Sequence, residues 1–400
     1  MLQRSFNRRV LFAGVGLTIL TACGGSGGDD DESTQTASNV NGTETGLGVP
    51  DGTQPVGAGG DATTETATGG SLLDPRPTAT TGPVRLTSQE QQTLRPNELG
   101  QIPVLMYHHI DEPEEQFVRT PDDFRADLQW LLDHNFTIIS MGQMLSGDIS
   151  IPAGRHPVVL TFDDSPATNF RLLPVDGALA IDPLCAVGIL EDFSTRNPLI
   201  GRGGHFAVLA SKLFDWTLTT VESDQTPYAA DKIRWLADNG YEVGNHTFNH
   251  ANLAELDNAG IMEELALNSD AINAIIPNHP NNRMDVVTLP YGAYPNDGDD
   301  TIFRGFTYQG REYVYSSALL VGANPAVSSF STTWDPYAIA RIQAFDDELA
   351  TWFGVMEENP GILYTSDGNV STVTVPNQLV PGLADTLDET KLGSRELIRY

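Results

Sequence analysis

The chain has 400 residues and a formal net charge of −31 at pH 7, with 53 acidic residues against 22 lysines and arginines. Such an acidic protein is repelled by phosphate backbones and anionic lipid surfaces, which excludes non-specific binding to nucleic acid or to an acidic membrane as its function. For the same reason, a neutral or cationic substrate is favoured over a polyanionic one.

The N-terminus has the pattern of an export signal. Three arginines within residues 2–9 precede an apolar run, residues 10–20, that is too short to span a bilayer. Residues 20–23 read Leu-Thr-Ala-Cys, which resembles the lipobox of bacterial lipoproteins. This resemblance implies cleavage before Cys23 and lipid attachment to its thiol. Gly24 then implies, for a Gram-negative cell envelope, an outer-membrane-anchored lipoprotein facing the periplasm or the cell surface. An ordinary secretory signal is the alternative.

A long polar segment follows the signal. Residues 24–100 are rich in Gly, Ser, Thr and Asp and contain no aromatic residue. Such a segment buries too little apolar surface to offset its chain entropy, so we predict a disordered tether. The remainder suits one large domain. The predicted regions are a signal peptide (1–22), an acidic tether (23–100), a folded domain (101–370) and a C-terminal extension (371–400).

From residue 101 onward, apolar runs alternate with helical patterns. The candidate strands are residues 102–107, 136–139, 157–162, 204–210, 285–289, 312–316 and 361–365. Three helices are predicted. The first begins at Thr120, its cap residue, with Pro121 in the first turn, and the other two cover residues 226–239 and 255–276. Residues 166–203 fit either a helix pair or an insertion. The alternation predicts an α/β fold with parallel strands, either a barrel or a doubly wound sheet, and both bind ligands where strands end.

Two short segments carry residues suited to chemistry. Asp163 and Asp164 directly follow the strand at 157–162, and His246 and His250 follow Tyr-Glu-Val-Gly at residues 241–244, an apparent strand. If the spacing of the histidines is helical, both rings can reach one ion. One carboxylate and two imidazoles leave coordination positions open, as metal-assisted hydrolysis requires, while the second carboxylate can serve as a base. Taken alone, the Asp pair is more simply a solvated turn.

The motifs together resemble the polysaccharide deacetylase (NodB-homology) family. The segments that carry the resemblance are residues 161–164, 246–250 and 289–292, and residues 103–108 and 335–342 are similar to the poly-N-acetylglucosamine deacetylase branch. The resemblance covers about residues 101–368. It implies a distorted (β/α) barrel that removes acetyl groups from N-acetylated or acetylated sugars.

The resemblance also implies roles for single residues. Asp163 would be the general base, and one divalent metal would be bound by Asp164, His246 and His250. Zinc suits this ligand set best, although cobalt, nickel or manganese could occupy it. The oxyanion would be held by the metal and by a backbone N–H in a turn made by Pro290, Tyr291 and Gly292.

Two positions depart from the family pattern. Thr288 stands where many members carry an arginine that tethers the catalytic Asp, and Arg341 is the candidate replacement, with a packing or surface arginine as the alternative. Thr365 stands in our alignment where the family places the histidine that acts as general acid. Because threonine is a poor proton donor near neutral pH, we take His108, which follows the first strand, as a candidate acid or substrate contact.

Three functions remain open at this stage. The first is a metal-dependent hydrolase that removes acetyl groups from an N-acetylated polysaccharide, such as poly-N-acetylglucosamine, peptidoglycan, chitin fragments or acetylated xylan. The second is a degenerate relative that binds carbohydrate as a lipoprotein of the cell envelope. The third is an amide hydrolase that acts on a compound other than a sugar. The complete Asp-Asp-His-His set favours the first.

Overall fold

The computed structural model describes residues 85–400, except 218, 296, 297, 299, 323 and 380–385. The helices are α1 (Ser88–Leu94), α2 (Pro121–Asp133), α3 (Met141–Ser146), α4 (Ala186–Arg196), α5 (Ala229–Asp238), α6 (Asn258–Ile275) and α7 (Asp346–Glu358). The strands are β1 (Val104–Tyr107), β2 (His109–Ile110), β3 (Val118–Arg119), β4 (Phe136–Ile138), β5 (His156–Phe162), β6 (Leu172–Val175), β7 (Ala178–Ile181), β8 (His205–Val208), β9 (Glu242–Asn245), β10 (Asn282–Thr288), β11 (Phe306–Tyr308), β12 (Arg311–Tyr313), β13 (Ser317–Leu319), β14 (Ile342–Gln343), β15 (Thr372–Val375) and β16 (Glu396–Arg399). Within these residues, no helix combines the length and apolar character needed to cross a membrane. The predicted signal peptide, Cys23 and tether residues 24–84 lie outside the described residues.

The main sheet has eight strands, all paired in parallel. Its order is β13-β10-β9-β8-β5-β1-β14, and β4 pairs with β5 beside this path. The two ends of the path meet where Leu319 of β13 bridges Ile339, which lies just before β14. There the Leu320 N–H donates to the Ile339 carbonyl at 2.9 Å, and the Ile339 N–H donates to the Ala318 carbonyl at 3.0 Å. The sheet therefore curls into a distorted barrel, and the predicted α/β barrel class is confirmed.

The barrel forms because its strands are apolar on both faces. In β5 every residue from 157 to 162 is buried, as expected for a strand with side chains in the barrel and under the helices. α2 begins as predicted, since the Thr120 hydroxyl accepts the Asp123 N–H at 3.1 Å and Pro121 occupies the first turn.

Three predicted segments differ from the structure. Residues 166–203 form an antiparallel hairpin, β6–β7, followed by α4. Of the two predicted alternatives, the insertion describes this segment better than the helix pair does. The sequence predicts a barrel strand at residues 312–316, but the strand that pairs with β10 is β13, which begins at Ser317. Residues 311–313 form β12, which pairs with β11 in a separate hairpin. Residues 361–365 form no barrel strand, and they bridge instead to Gln101 and Asn97.

The described residues fold on the N-terminal side of the predicted domain boundary at residue 101 as well. Thr87 and Glu90 form a capping box at the start of α1. The polar composition around this capping box favours a disordered segment, so the sequence does not predict the helix. Leu99 then packs in a small core with Phe330, Val373 and other residues of the C-terminal region. Residues 85–100 and the predicted extension therefore fold against each other.

Candidate active site

The predicted site residues meet at one rim of the barrel. Asp163 and Asp164 follow β5, His246 follows β9, and His108 follows β1. Because these strands are parallel, their C-terminal ends lie on the same side, where α/β barrels form their sites.

Asp164, His246 and His250 form a compact ligand set. Oδ1 of Asp164 lies 3.1 Å from Nε2 of His246 and 3.2 Å from Nε2 of His250. All three ligand atoms lie within 4.8 Å of one another. Two imidazole nitrogens and one carboxylate oxygen at this separation suit a divalent ion such as zinc, with coordination positions left open. The donor set of these residues therefore fits the predicted metal.

The two histidines are brought together by a loop, not by the predicted helix. Residues 246–250 lie outside any helix or strand, and Thr247 and His250 have left-handed φ values of 64° and 61°. The two imidazole rings lie 4.9 Å apart. The inferred pairing of His246 with His250 was correct, but the helical reason for it was wrong.

A backbone carbonyl orients the first histidine. Nδ1 of His246 lies 2.8 Å from the Thr288 carbonyl oxygen, so Nε2 is turned toward Asp164. A carbonyl partner on the far ring nitrogen fixes both the tautomer and the orientation of a metal-binding histidine. This role of Thr288 cannot be predicted from its side chain, because the residue contributes through its main-chain carbonyl.

Electrostatics keep Asp164 ionised. Burial alone would raise the pKa of Asp164, but the hydrogen bond and charge of His246, with His108 and His250, lower it far below its usual range. Burial also opposes the charged form of His246, and the contacts with Asp164 and Asp163 outweigh it and raise its pKa. Burial and the neighbouring His246 lower the pKa of His250. The site thus combines an ionised carboxylate with two imidazoles, and a bound cation would displace the proton that Asp163 and Asp164 favour on His246.

Asp163 is held by Arg341. Nη1 of Arg341 lies 2.8 Å from Oδ1 of Asp163, and the two side chains are 0% and 2% exposed. Arg341 also donates to the Thr161 hydroxyl at 3.0 Å and to the Leu320 carbonyl at 2.6 Å. Burial would raise the pKa of Asp163, but Arg341 and His246 together lower it. Of the two interpretations left open for Arg341, the structure supports the tether of Asp163.

His108 lies close to both carboxylates. It directly follows β1, and its ring centroid is 4.8 Å from that of Phe117. Its Nδ1 is buried and has no hydrogen-bond partner among the described residues. Burial lowers the pKa of His108, while the charges of Asp163 and Asp164 act in the opposite direction. An imidazole that is neutral and near the site can exchange a proton there.

Thr365 does not lie at this rim, which corrects the sequence alignment. Its hydroxyl is 3.3 Å from Nδ1 of His156, the first residue of β5, whereas Asp163 follows the last residue of that strand. Seven residues at about 3.3 Å each place the two ends roughly 20 Å apart. Residues 361–365 look like a strand by composition but pack at the opposite end of the barrel.

The turn at Pro290, Tyr291 and Gly292 lies beside the ligand set. Tyr291 has a φ of 59°, and its ring centroid is 4.6 Å from that of His250. The Gly292 N–H donates to the Leu289 carbonyl at 3.0 Å, and the Ala293 N–H donates to the Pro290 carbonyl at 3.1 Å. The tight turn predicted from the sequence is therefore present.

Comparison with known proteins gives one family match. Residues 206–302, which include His246, His250 and the 290–292 turn, match the polysaccharide deacetylase family model. None of the curated protein sequences compared with this chain matches it.

Several solved structures are similar to part of the chain. The deacetylase PplD of Streptococcus pyogenes, in complex with acetate, is 19% identical, with 63% of this chain and 97% of that chain covered and a TM-score of 0.46. IcaB from Ammonifex degensii is 17% identical, with 64% and 97% covered and a TM-score of 0.45. A polysaccharide deacetylase from Bacillus cereus is 18% identical, with 63% and 69% covered and a TM-score of 0.45. At these scores the similarities carry no further argument.

Proposed function

We propose that this protein is a metal-dependent deacetylase that hydrolyses the acetamido groups of an N-acetylated polysaccharide. The observation that carries the proposal is a two-histidine, one-carboxylate ligand set next to a second carboxylate that Arg341 holds in its ionised form. The family match over residues 206–302 supports the same chemistry.

The residues divide the work of amide hydrolysis. A divalent ion held by Asp164, His246 and His250 would supply Lewis-acid activation of water and of the acetyl carbonyl. Oδ1 of Asp163 is engaged by Arg341, so Oδ2 is the oxygen left to accept a proton from the attacking water. The C–N bond then breaks, and acetate and an amine are released.

Two further groups complete the proposed reaction. His108, the neighbouring imidazole near both carboxylates, is the candidate carrier of the proton that the departing amine needs: it would take up the proton that Asp163 accepts from water and donate it to the amine nitrogen. The turn at Tyr291 would present a backbone N–H to the developing oxyanion, as the family resemblance implies. Thr365 has no part in this proposal.

Charge narrows the substrate. The chain carries a net charge of −31, and the cleft beside His109 is lined by Asp111, Glu112 and Glu115. A polyanion would be repelled there, whereas a neutral N-acetylhexosamine polymer or a partly deacetylated, cationic one would not. Poly-N-acetylglucosamine and chitin-like chains fit this description, and peptidoglycan fits it through its neutral glycan strand.

We also propose that Cys23 is lipidated and anchors the protein in the cell envelope. The proposal rests on the export signal and the lipobox-like residues 20–23. The chemistry and the anchor are independent, so either can fail without the other.

The test of function is acetate release. Purified protein loaded with zinc should release acetate from N-acetylglucosamine oligomers, and a chelator should abolish the reaction until metal is restored. Asp163→Asn, which keeps the shape of the side chain, should lose activity with its metal content intact. Metal binding without turnover of any N-acetylated sugar would favour the alternative of a carbohydrate-binding lipoprotein.

A further inference from the structure

Phe117 occupies a backbone position that disfavours a large side chain. The Val118 N–H donates to the Glu115 carbonyl at 3.0 Å, which closes a four-residue turn with Phe117 as its third residue. The φ of Phe117 is 69°, a value for which such turns ordinarily use glycine or asparagine. A bulky residue here is a conformational outlier, and outliers of this kind cluster at ligand-binding sites.

The ring of Phe117 is supported on one side and open on another. Its centroid lies 4.8 Å from the ring of His108 and 5.2 Å from the ring of Phe345, and the side chain is still 41% exposed. The His109 N–H donates to the Phe117 carbonyl at 3.0 Å, which fixes the turn to the strand end. An apolar ring is therefore held in place beside the candidate proton donor while part of its surface faces solvent.

Tyr291 repeats this arrangement next to a metal ligand. It is the third residue of a turn closed by the Gly292 N–H and the Leu289 carbonyl, and its φ is 59°. Its ring lies 4.6 Å from the ring of His250, and the residue is 67% exposed. Two exposed aromatic rings, both on left-handed turn positions, thus contact two different histidines of the site.

The strand order places these rings on opposite sides of the barrel mouth. Phe117 is linked to the ends of β1 and β14, since its neighbours His108 and Phe345 follow those strands. Tyr291 follows the end of β10. Around the barrel path, β10 is reached from β1 through β14 and β13 in one direction and through β5, β8 and β9 in the other. In a seven-strand circuit no two strand ends are further apart than those of β1 and β10, and the end of β14 is one step nearer to β10.

We propose that Phe117 is a specificity residue that stacks on a pyranose ring of the polymer, with Tyr291 as the facing wall. This inference rests on the proposed deacetylase function and adds a contact with the sugar chain itself. Each pyranose has an apolar C–H face, and an exposed aromatic ring is the protein group that buries such a face best. The arrangement favours a chain of neutral or cationic sugars over an isolated acetamide compound, because a chain can contact both rings while one of its acetamido groups lies at the candidate metal ligands.

The experiment compares ring-retaining and ring-removing variants on the N-acetylglucosamine tetramer. With zinc-loaded full-length protein, Phe117→Leu should raise KM by about tenfold or more with a much smaller change in kcat, and Phe117→Tyr should stay near wild type. Leu199→Ala is the matched control. Leu199 is 52% exposed and precedes β8, at the other end of the barrel, so its loss should change nothing.

The outcomes separate this inference from the proposed function. If wild type releases no acetate, calorimetric Kd values for the tetramer replace KM, and the same tenfold difference would support sugar stacking while deacetylation fails. If Phe117→Leu matches wild type within twofold in either assay, the inference is overturned even where acetate is released. It is also overturned if wild type neither turns over nor binds the tetramer. Equal melting temperatures of the variants exclude a folding effect.

Discussion

Arg341 and Asp163 form a buried ion pair across the barrel rim, with Nη1 of Arg341 2.8 Å from Oδ1 of Asp163. Arg341 directly precedes β14 and Asp163 directly follows β5, with β1 between those strands in the sheet. The pair therefore forms only when the strands of the barrel come together. It couples the charge state of the candidate base to the integrity of the fold.

Removing Arg341 should be costly. Arg341→Met leaves the Asp163 carboxylate buried without its partner, and breaking a buried pair in this way typically costs about 3–5 kcal/mol. Urea unfolding at pH 7 should show this loss in the free energy of unfolding of Arg341→Met. The double variant, which combines Arg341→Met with Asp163→Asn, should lose less, because no charged carboxylate is left buried without a partner. If the double variant is as unstable as the sum of the two single variants, the residues are not coupled.

The same pair predicts a pH dependence. The folded pKa of Asp163 is lowered, so the pair stabilises the protein above the unfolded carboxyl pKa, and this contribution is lost as pH falls through the folded value. In Arg341→Met the pKa of Asp163 should rise, and the acidic limb of the activity profile should move to higher pH. A profile of kcat/KM against pH measures this shift, and an unmoved limb would show that Asp163 is not the titrating base.

His108 should matter for turnover and not for metal binding. Loss of a general acid typically lowers the rate by about 10²–10⁴-fold, so His108→Ala should lower kcat in this range with zinc content unchanged. His134→Ala is a control, because it removes an imidazole at the C-terminal end of α2, where it caps the helix. A kcat for His108→Ala within twofold of wild type would mean that the proton comes from another group.

Thr365 provides a second, independent check. Because its hydroxyl contacts His156 at the start of β5, Thr365→His should give no gain in activity. Steady-state kinetics on the tetramer would measure this. An increase in kcat would mean that residue 365 reaches the site, contrary to its contact with His156.

Lys232, like Asp163, makes stability rise with pH, but over a higher pH range. It is 1% exposed, lies 4.6 Å from the Phe214 ring centroid and donates to Oε1 of Gln225 at 2.8 Å. Burial lowers its pKa from 10.5 to about 7, which corresponds to an upper bound of roughly 5 kcal/mol for carrying the charged form. The penalty is complete below the folded pKa and disappears as pH rises through the unfolded pKa.

Lys232→Met should therefore stabilise the protein at pH 6 and do so less at pH 10. Oε1 of Gln225 keeps its hydrogen bond from the Leu172 N–H, so the substitution leaves no unpaired acceptor there. Chemical unfolding of both proteins at the two pH values measures the difference. An equal effect at both values would show that the charge of Lys232 is not penalised.

The sequence was sufficient for the ligand set because strand ends are easy to recognise. Asp163 and Asp164 follow an unbroken apolar run, and parallel strands must end on one side. The left-handed φ values at Asp164, Thr247 and His250 could not be predicted from the sequence, because none of these residue types requires a positive φ. The loop pairing of the histidines therefore became visible only in the structure.

The closing strand of the barrel shows why Thr365 does not lie where the family resemblance implies. β14 has only two residues, whereas the more apolar residues 361–365 have the composition of a barrel strand. Composition favours residues 361–365 as the strand next to β1. In the structure that place is taken by β14, where Leu105 pairs with Ile342. Arg341 could be suggested from its motif, but its contact with Asp163 depends on that pairing.

The lipobox-like residues 20–23 predict that a lipid on Cys23, which lies outside the described residues, attaches the protein to a membrane. Cys23→Ser should move the protein from the membrane fraction to the soluble fraction, since a thioether-linked lipid cannot form on serine. Metabolic labelling with a fatty acid measures the modification directly. Unlabelled wild-type protein in a host that labels other lipoproteins would contradict the anchor.

The most direct test of the central claim is a zinc titration of metal-free protein with acetate release as the readout. The rate on the N-acetylglucosamine tetramer should rise linearly and saturate at one zinc per chain. His246→Ala and His250→Ala should bind little zinc and stay inactive, although both remain folded by circular dichroism. Acetate release at the full rate without metal, or wild-type zinc content in both variants, would contradict the central claim.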